Sequence, residues 1–301
     1  MVEAISGLIS LRNIEEFSVE INPADASRDL FNQLKSAGVT RISIGVQSFS
    51  DNVLRAIGRR HDAKGAITAI EYALEAGFFD TGIDLIAGLP QTVDDADKTV
   101  SVLKSLLPSL KHVSLYALTL EPGCRLHRQV ESGAIVLPDE ESCMDEIGTL
   151  AKAMADFGVR RYEVSNYARE GFACRHNLAV WRGADYLGLG PSAASRAGLR
   201  RWCNASEVEC AGSRQTRRIE NVDALNDALE RFFFRLRLRE GFSLRRDFEE
   251  VATFAPFRER WIGCFRQFAD DGLLARTECG YAPTERGLDM CDFMLRELYP
   301  L

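Results

Sequence analysis

The sequence predicts an α/β fold, with a parallel sheet and helical crossovers first and a small, mainly helical domain after it. Three observations lead there. Strand-like and helix-like hydrophobic patterns alternate from residue 17 to about residue 165. The periodicity fails between Tyr167 and Ser213, where glycines, Pro191 and Trp181 mark a long irregular segment. From about Asn221 the pattern turns helical. A strand–helix–strand order of this kind is satisfied by a partial TIM-like barrel or by an open doubly wound sheet. Both place ligands at the C-terminal ends of the strands.

The elements follow in order. Phe17–Pro23 reads as a strand, and residues 25–37 as a helix with Leu30, Phe31 and Leu34 on one face and Gly38 as its stop. Arg41–Ser48 is a second strand. Asp62–Ala76 is a helix closed by Gly77, and Gly82–Ala87 the third strand. A helix from Val93 to Leu107 ends before Pro108, and His112–Leu120 is the fourth strand. Pro138-Asp-Glu-Glu opens a long helix to Phe157, stopped by Gly158, and Arg161–Asn166 is a fifth strand. Past Ser213, Ala224-Leu and Phe232-Phe-Phe read as helix, and Gly272-Leu-Leu-Ala-Arg with Tyr281-Ala-Pro as a β-wing. The expected domains are 1–166, an irregular segment 167–213 and a helical, winged-helix-like domain 214–301.

Composition narrows the function. At 301 residues and 46% hydrophobic the chain can bury a large core, and a net charge of −7 gives no overall attraction for nucleic acid or anionic membrane. No window approaches about 18 apolar residues, and the first residues lack the basic and apolar regions of a signal peptide. Eight cysteines scattered through a core-forming chain point to reduced thiols and a cytoplasmic location rather than a disulfide scaffold. None forms C-x-x-C or C-x-x-x-C-x-x-C.

The chemistry-bearing residues lie between Val19 and Pro90. Glu20, Gln47 and Asp84 each interrupt a different apolar strand run, and Gly58-Arg59-Arg60-His61 lies between the last two. A carboxylate or amide in such a place is costly unless partnered. One per strand points to a shared polar ligand at one end of the sheet; the alternative is that Glu20 and Asp84 are core polar residues with internal partners.

Val19-Glu-Ile-Asn-Pro23, Gly45-Val-Gln-Ser-Phe49, Gly58-Arg-Arg-His61, Asp84-Leu-Ile-Ala-Gly-Leu-Pro90 and Glu121-Pro-Gly123 together resemble the HemN/HemW group of radical S-adenosylmethionine proteins. Cys174-Arg-His-Asn177 with Trp181, Asp185-Tyr-Leu-Gly-Leu-Gly-Pro191, and the C-terminal Leu236-Arg-Leu-Arg-Glu-Gly241 and Asp271-Gly-Leu-Leu274 resemble its HemW branch. The resemblance covers nearly the whole chain. It implies a partial (β/α)6 barrel holding S-adenosylmethionine across the strand ends beside a [4Fe–4S] cluster. It places Glu20, Gln47, Arg59 and Asp84 on positions that contact S-adenosylmethionine, carboxylates suiting ribose hydroxyls and the amino group, arginine suiting the carboxylate.

The departures matter as much. The family's C-x-x-x-C-x-x-C cluster loop and its Gly-Gly-Gly-Thr-Pro segment are both absent, so no thiolate set for the cluster is present. The chain is therefore expected to start after both, as a fragment of a longer product or a relative that has lost them. The barrel is expected to expose an unpaired edge at Phe17–Ile21 through which copies could associate.

The HemW branch implies a heme chaperone that binds heme and passes it to acceptor proteins. Its His-Asn-x-x-Tyr-Trp motif corresponds to His176, Asn177 and Trp181, with Val180 in place of the tyrosine. His176 is the candidate axial ligand and Trp181 a candidate stacking partner for the porphyrin; the alternative is a loop histidine and a core tryptophan. Ala194 stands where the family has histidine. Two other functions remain: oxygen-independent coproporphyrinogen III oxidation within a longer chain, and a non-catalytic remnant of the S-adenosylmethionine pocket. Cys124-x-x-His127 is a lone pair rather than a zinc site, Gly188-x-Gly190 a turn, and the arginines from Arg214 to Arg246 a solvated face.

Overall fold

The computed structural model describes residues 14–90, 93–206, 218–249 and 258–299. They divide into two compact units. One runs up to Arg161 and includes Ser165–Ala173; the other holds Tyr162–Val164 and the chain from Cys174 onward.

Up to Ala168, strands and helices follow one another: β1 (Ser18–Ile21), α1 (Arg28–Ser36), β2 (Arg41–Gln47), α2 (Asp51–Ala56), α3 (Ala63–Glu75), β3 (Asp80–Ala87), α4 (Val93–Leu106), β4 (His112–Ala117), α5 (Arg125–Glu131), α6 (Glu140–Asp156), β5 (Arg160–Glu163) and β6 (Asn166–Ala168). The sheet order is β1-β2-β3-β4-β6-β5, with β1 through β4 parallel. The helices start where their capping residues dictate. Ser27 accepts the Leu30 N–H at 3.1 Å, Asp62 that of Gly65 at 2.7 Å and Asp139 that of Ser142 at 2.9 Å.

Strand alternation separates the two faces of this sheet. Ile42, Ile44, Val46, Ile83, Leu85, Val113 and Leu115 point one way, into a core shared with Phe31 of α1, Ile70 of α3, Leu103 of α4 and Met154 of α6. The opposite face carries Glu20, Arg41, Ser43, Asp80, Asp84, His112 and Ser114, in the registers Glu20↔Ser43, Arg41↔Asp80 and Asp84↔Ser114. The polar residues that interrupt apolar runs are thus one polar face, not isolated intrusions into the core.

Two sequence expectations need correction. The run Arg161–Asn166 is not one strand. It breaks at Val164, whose N–H bonds the Arg237 carbonyl at 3.0 Å, and β6 then turns back antiparallel to β4. The segment 167–213, of which 207–213 lie outside the described residues, is not irregular throughout its described part. It contains α7 (Arg175–Trp181), β7 (Ala194–Ala197) and β8 (Arg200–Cys203), each too short to leave a periodic signature.

The second unit adds β9 (Arg218–Asn221), α8 (Ala224–Arg235), β10 (Phe242–Ser243), α9 (Arg258–Asp270), β11 (Leu274–Arg276), β12 (Gly280–Pro283), α10 (Glu285–Asp289) and α11 (Cys291–Leu298). One antiparallel sheet is β7-β8-β9, the other β10-β12-β11. Here helices α8 and α9 are followed by the β11–β12 hairpin, within a unit that begins at Cys174 and takes in Tyr162–Val164. Its core is aromatic: the Phe232 ring stacks on Trp261 at 5.4 Å and meets Phe242 at 4.9 Å and Phe265 at 5.9 Å. The arginines here are largely neutralised in place. Arg196 pairs with Asp227, Arg201 with Glu220 and Glu230, Arg237 with Asp292, and Arg239 with Glu285.

Candidate functional site: the polar face of the sheet and helix α7

Asp84 sits at the centre of the polar face. Ser43 donates its hydroxyl to Asp84 Oδ1 at 2.9 Å. Burial pushes the Asp84 carboxyl above its ordinary range; hydrogen bonds from Ser114 and Ser43 pull it back, and Glu20 adds repulsion. Glu20 itself is exposed, because β1 is an edge of the sheet among the described residues. Among the described residues β1 pairs only with β2, and its acid faces solvent.

The end of the sheet opposite to Gln47 is sealed. Arg41, buried, contacts both Asp80 oxygens at 3.0 Å and the Phe172 carbonyl at 3.1 Å. Burial raises the Asp80 carboxyl and Arg41 draws it down again. His112, also buried, lies against Gly82, where a β-carbon would come within 3.1 Å of it. Burial holds the His112 imidazole neutral by lowering its pKa well below the ordinary value.

Gln47 ends β2 with φ of 69°, after a register shift between Gly45 and Gln47. A β-carbon on Gly45 would stand 3.0 Å from the Gln47 amide nitrogen, so the glycine leaves room for that side chain. The following loop is pinned by Thr99, which receives the Phe49 N–H at 3.3 Å, and by Asp95, which accepts the Ser50 hydroxyl. Arg59 follows Gly58, whose φ of 76° closes α2. The Arg59 guanidinium is half-buried and makes no ion pair among the described residues, whereas Arg60 pairs with Asp25 at 2.9 Å.

In the second unit His176 is exposed on the first turn of α7 and Asn177 is half-buried behind it. Trp181 closes the helix. Its indole N–H donates to the buried Glu163 at 2.9 Å, its ring meets the edge of Phe234 at 5.4 Å, and the Arg237 guanidinium lies 5.1 Å from its centre. Cys174 is buried at the start of α7, its N–H on the Tyr162 hydroxyl at 3.2 Å. Gly188 and Gly190 form a turn whose carbonyls accept the Asn204 amide at 3.3 and 2.9 Å, and Ala194 lies exposed beside it on β7. Cys124 caps α5, accepting the His127 N–H at 3.3 Å.

The Radical SAM superfamily profile matches residues 1–103. The heme chaperone HemW of Mycobacterium tuberculosis is 35% identical over 291 residues, 94% of this chain and 71% of that protein. Its Bacillus subtilis counterpart is 31% identical over 282 residues, 91% of this chain and 73% of that protein. The chain belongs to the HemW family. The coproporphyrinogen III oxidase HemN of Escherichia coli, a radical SAM enzyme, superposes with a TM-score of 0.76 at 21% identity, over 99% of this chain and 74% of that one. That likeness shows the shared HemN-like fold of the HemW family.

HemW membership makes S-adenosylmethionine and an iron–sulfur cluster the group's expected cofactors, and the two have different standing here. Hydroxyl-supported Asp84 and an Arg59 that makes no ion pair among the described residues, both on the same unit, suit a zwitterionic nucleoside ligand. A [4Fe–4S] cluster has no matching donor set: the eight cysteines include no C-x-x-x-C-x-x-C, and no cluster of three metal-binding side chains occurs among the described residues. Sequence reasoning missed Arg41, Ser43, His112 and Ser114. Their signal was the period-2 spacing that puts them on the same strand face as Glu20 and Asp84.

Proposed function

We propose that this chain is a heme chaperone that ligates heme through His176 and passes it to acceptor proteins, and that its barrel holds S-adenosylmethionine. The observation that carries the reading is the 35% identity to HemW across 94% of the chain. The exposed position of His176 on α7 supports it, since an axial ligand must reach a porphyrin arriving from solvent. Asn177 is the neighbouring polar contact. Trp181, engaged by Glu163, Phe234 and Arg237, fixes the helix that presents the histidine. Release to an acceptor is compatible with a single exposed ligand in a way that a closed pocket is not.

S-adenosylmethionine would be held by Glu20, Gln47, Arg59 and Asp84, with Arg59 on its carboxylate and the acids on hydroxyl and amino groups. When bound it supplies a sulfonium. The residues present do not fit the iron–sulfur cluster, and no redox step is assigned to them.

Titrating the full chain with heme tests the heme assignment. The expected result is a shifted Soret band that His176→Ala removes and that Trp181→Phe weakens, because the phenyl ring cannot donate to Glu163. A Soret shift unchanged in His176→Ala would rule out His176 as the ligand.

A further inference from the structure

The backbone around Gln47 carries an unexplained strain. The Val46 carbonyl accepts the Ser48 N–H at 2.9 Å across Gln47, whose φ is 69°. A bond closing three residues around a positive-φ centre is the rare, strained form of the γ-turn. For a residue other than glycine such a turn persists only where its surroundings hold it. The same Val46 oxygen accepts a second bond, from His61 Nε2 at 3.1 Å. A carbonyl oxygen can only accept, so Nε2 carries the proton.

We infer that His61 is a positioning residue for the S-adenosylmethionine pocket: its imidazole donates to the Val46 carbonyl, locks the turn that carries Gln47, and ties to it the segment that carries Arg59. The inference rests on the pocket reading above, in which Gln47 and Arg59 touch the ligand. Three features favour a lock over an ordinary core histidine. The bond spans 15 residues, from the end of β2 to the start of α3, and so joins two ligand-bearing segments. Arg59 is only two residues before His61, with no ion pair among the described residues to hold it otherwise. His61 is also buried and its Nδ1 has no partner, so the Val46 bond is the ring's one polar anchor among the described residues. Burial, aided by Arg59, lowers the His61 pKa; the ring stays neutral with its single proton committed to Val46.

Two measurements on the full chain test this: amide hydrogen exchange at Ser48, and S-adenosylmethionine affinity by equilibrium dialysis. His61→Phe is expected to speed Ser48 exchange and weaken binding about tenfold each, the loss of one buried hydrogen bond. His61→Gln, whose amide nitrogen can replace Nε2, is expected to restore both. If His61→Phe does not fold, His61→Asn, whose amide is too short to reach Val46, takes its place. Unchanged exchange, or faster exchange with unchanged affinity, overturns the positioning role, as does failure of His61→Gln to restore either. Gln47→Ala separates the two ideas. If it binds S-adenosylmethionine as tightly as the parent while His61→Phe still speeds exchange, the pocket reading fails and the turn lock is only structural.

Discussion

Phe232→Ala is expected to destabilise the second unit by about 3–5 kcal/mol, the usual cost of emptying a buried phenylalanine site. Phe232 is 1% exposed and lies at the centre of the aromatic core, stacked on Trp261 with an interplanar angle of 14° and in edge contact with Phe242. Removing the ring unpacks α8 from α9 and from the β10-β12-β11 sheet together, so no single neighbour can collapse into the void. Against a typical domain stability of about 5–15 kcal/mol, such a loss leaves the unit marginal. Tryptophan fluorescence in a urea titration reads the effect selectively, because all three tryptophans, Trp181, Trp202 and Trp261, belong to this unit. Phe232→Leu keeps most of the volume and is expected to cost about 1 kcal/mol. A midpoint that barely moves for the alanine variant would show that the aromatic cluster does not hold the unit together.

How much of this was legible depended on length and on alternation. Asp62–Ala76 and Pro138–Phe157 were readable as helices because each is long enough to show a full apolar face and begins at an aspartate cap. The parallel sheet was readable because its helix-facing residues, Ile42, Ile44, Val46 and Ile83 among them, are uninterrupted on one face. What failed did so for the converse reason. Helix α7 has 7 residues and strands β7 and β8 have 4 each, so 167–213 looked shapeless. The break at Val164 was invisible because its partner, Arg237, lies far along the chain.

The candidate site followed the same division. Glu20, Gln47 and Asp84 stood out as polar residues interrupting apolar strand runs, but their role, and that of Arg59, as S-adenosylmethionine contacts came from motif resemblance, which no periodicity argument supplies. Their local settings did not. Glu20 is solvent-facing rather than embedded, since an edge strand has one neighbour fewer to cover it. The strained turn at Gln47 could not be read from a glutamine followed by two serines and a phenylalanine, because it depends on His61 reaching back to Val46. Trp181 was expected to stack on a porphyrin. Its contacts with Glu163, Phe234 and Arg237 involve residues distant in sequence and give it a second task within the unit.

Asp84→Asn is expected to stabilise the protein at neutral pH while weakening S-adenosylmethionine binding about 10- to 100-fold, the cost of losing a charge-assisted hydrogen bond. Both effects come from the same burial. In the folded chain the Asp84 carboxyl titrates above its ordinary value, chiefly through burial, with Glu20 adding to the shift against Ser114 and Ser43. The folded state therefore holds the proton to a higher pH than the unfolded one. Its contribution to stability is full below the unfolded pKa of about 4 and is lost as pH rises through the raised folded value. At neutral pH the ionised carboxylate is thus a net cost to the fold, and asparagine removes it while still bonding the serine hydroxyls. Thermal unfolding followed across pH should show the variant's advantage at neutral pH vanish toward pH 4, where Asp84 of the parent is itself neutral. An asparagine variant less stable than the parent at neutral pH would mean that the carboxylate is a structural partner of Ser43 and Ser114. Extra stability combined with lost affinity is the signature of a charge kept for a ligand, because a residue retained for folding alone would not be improved by its removal.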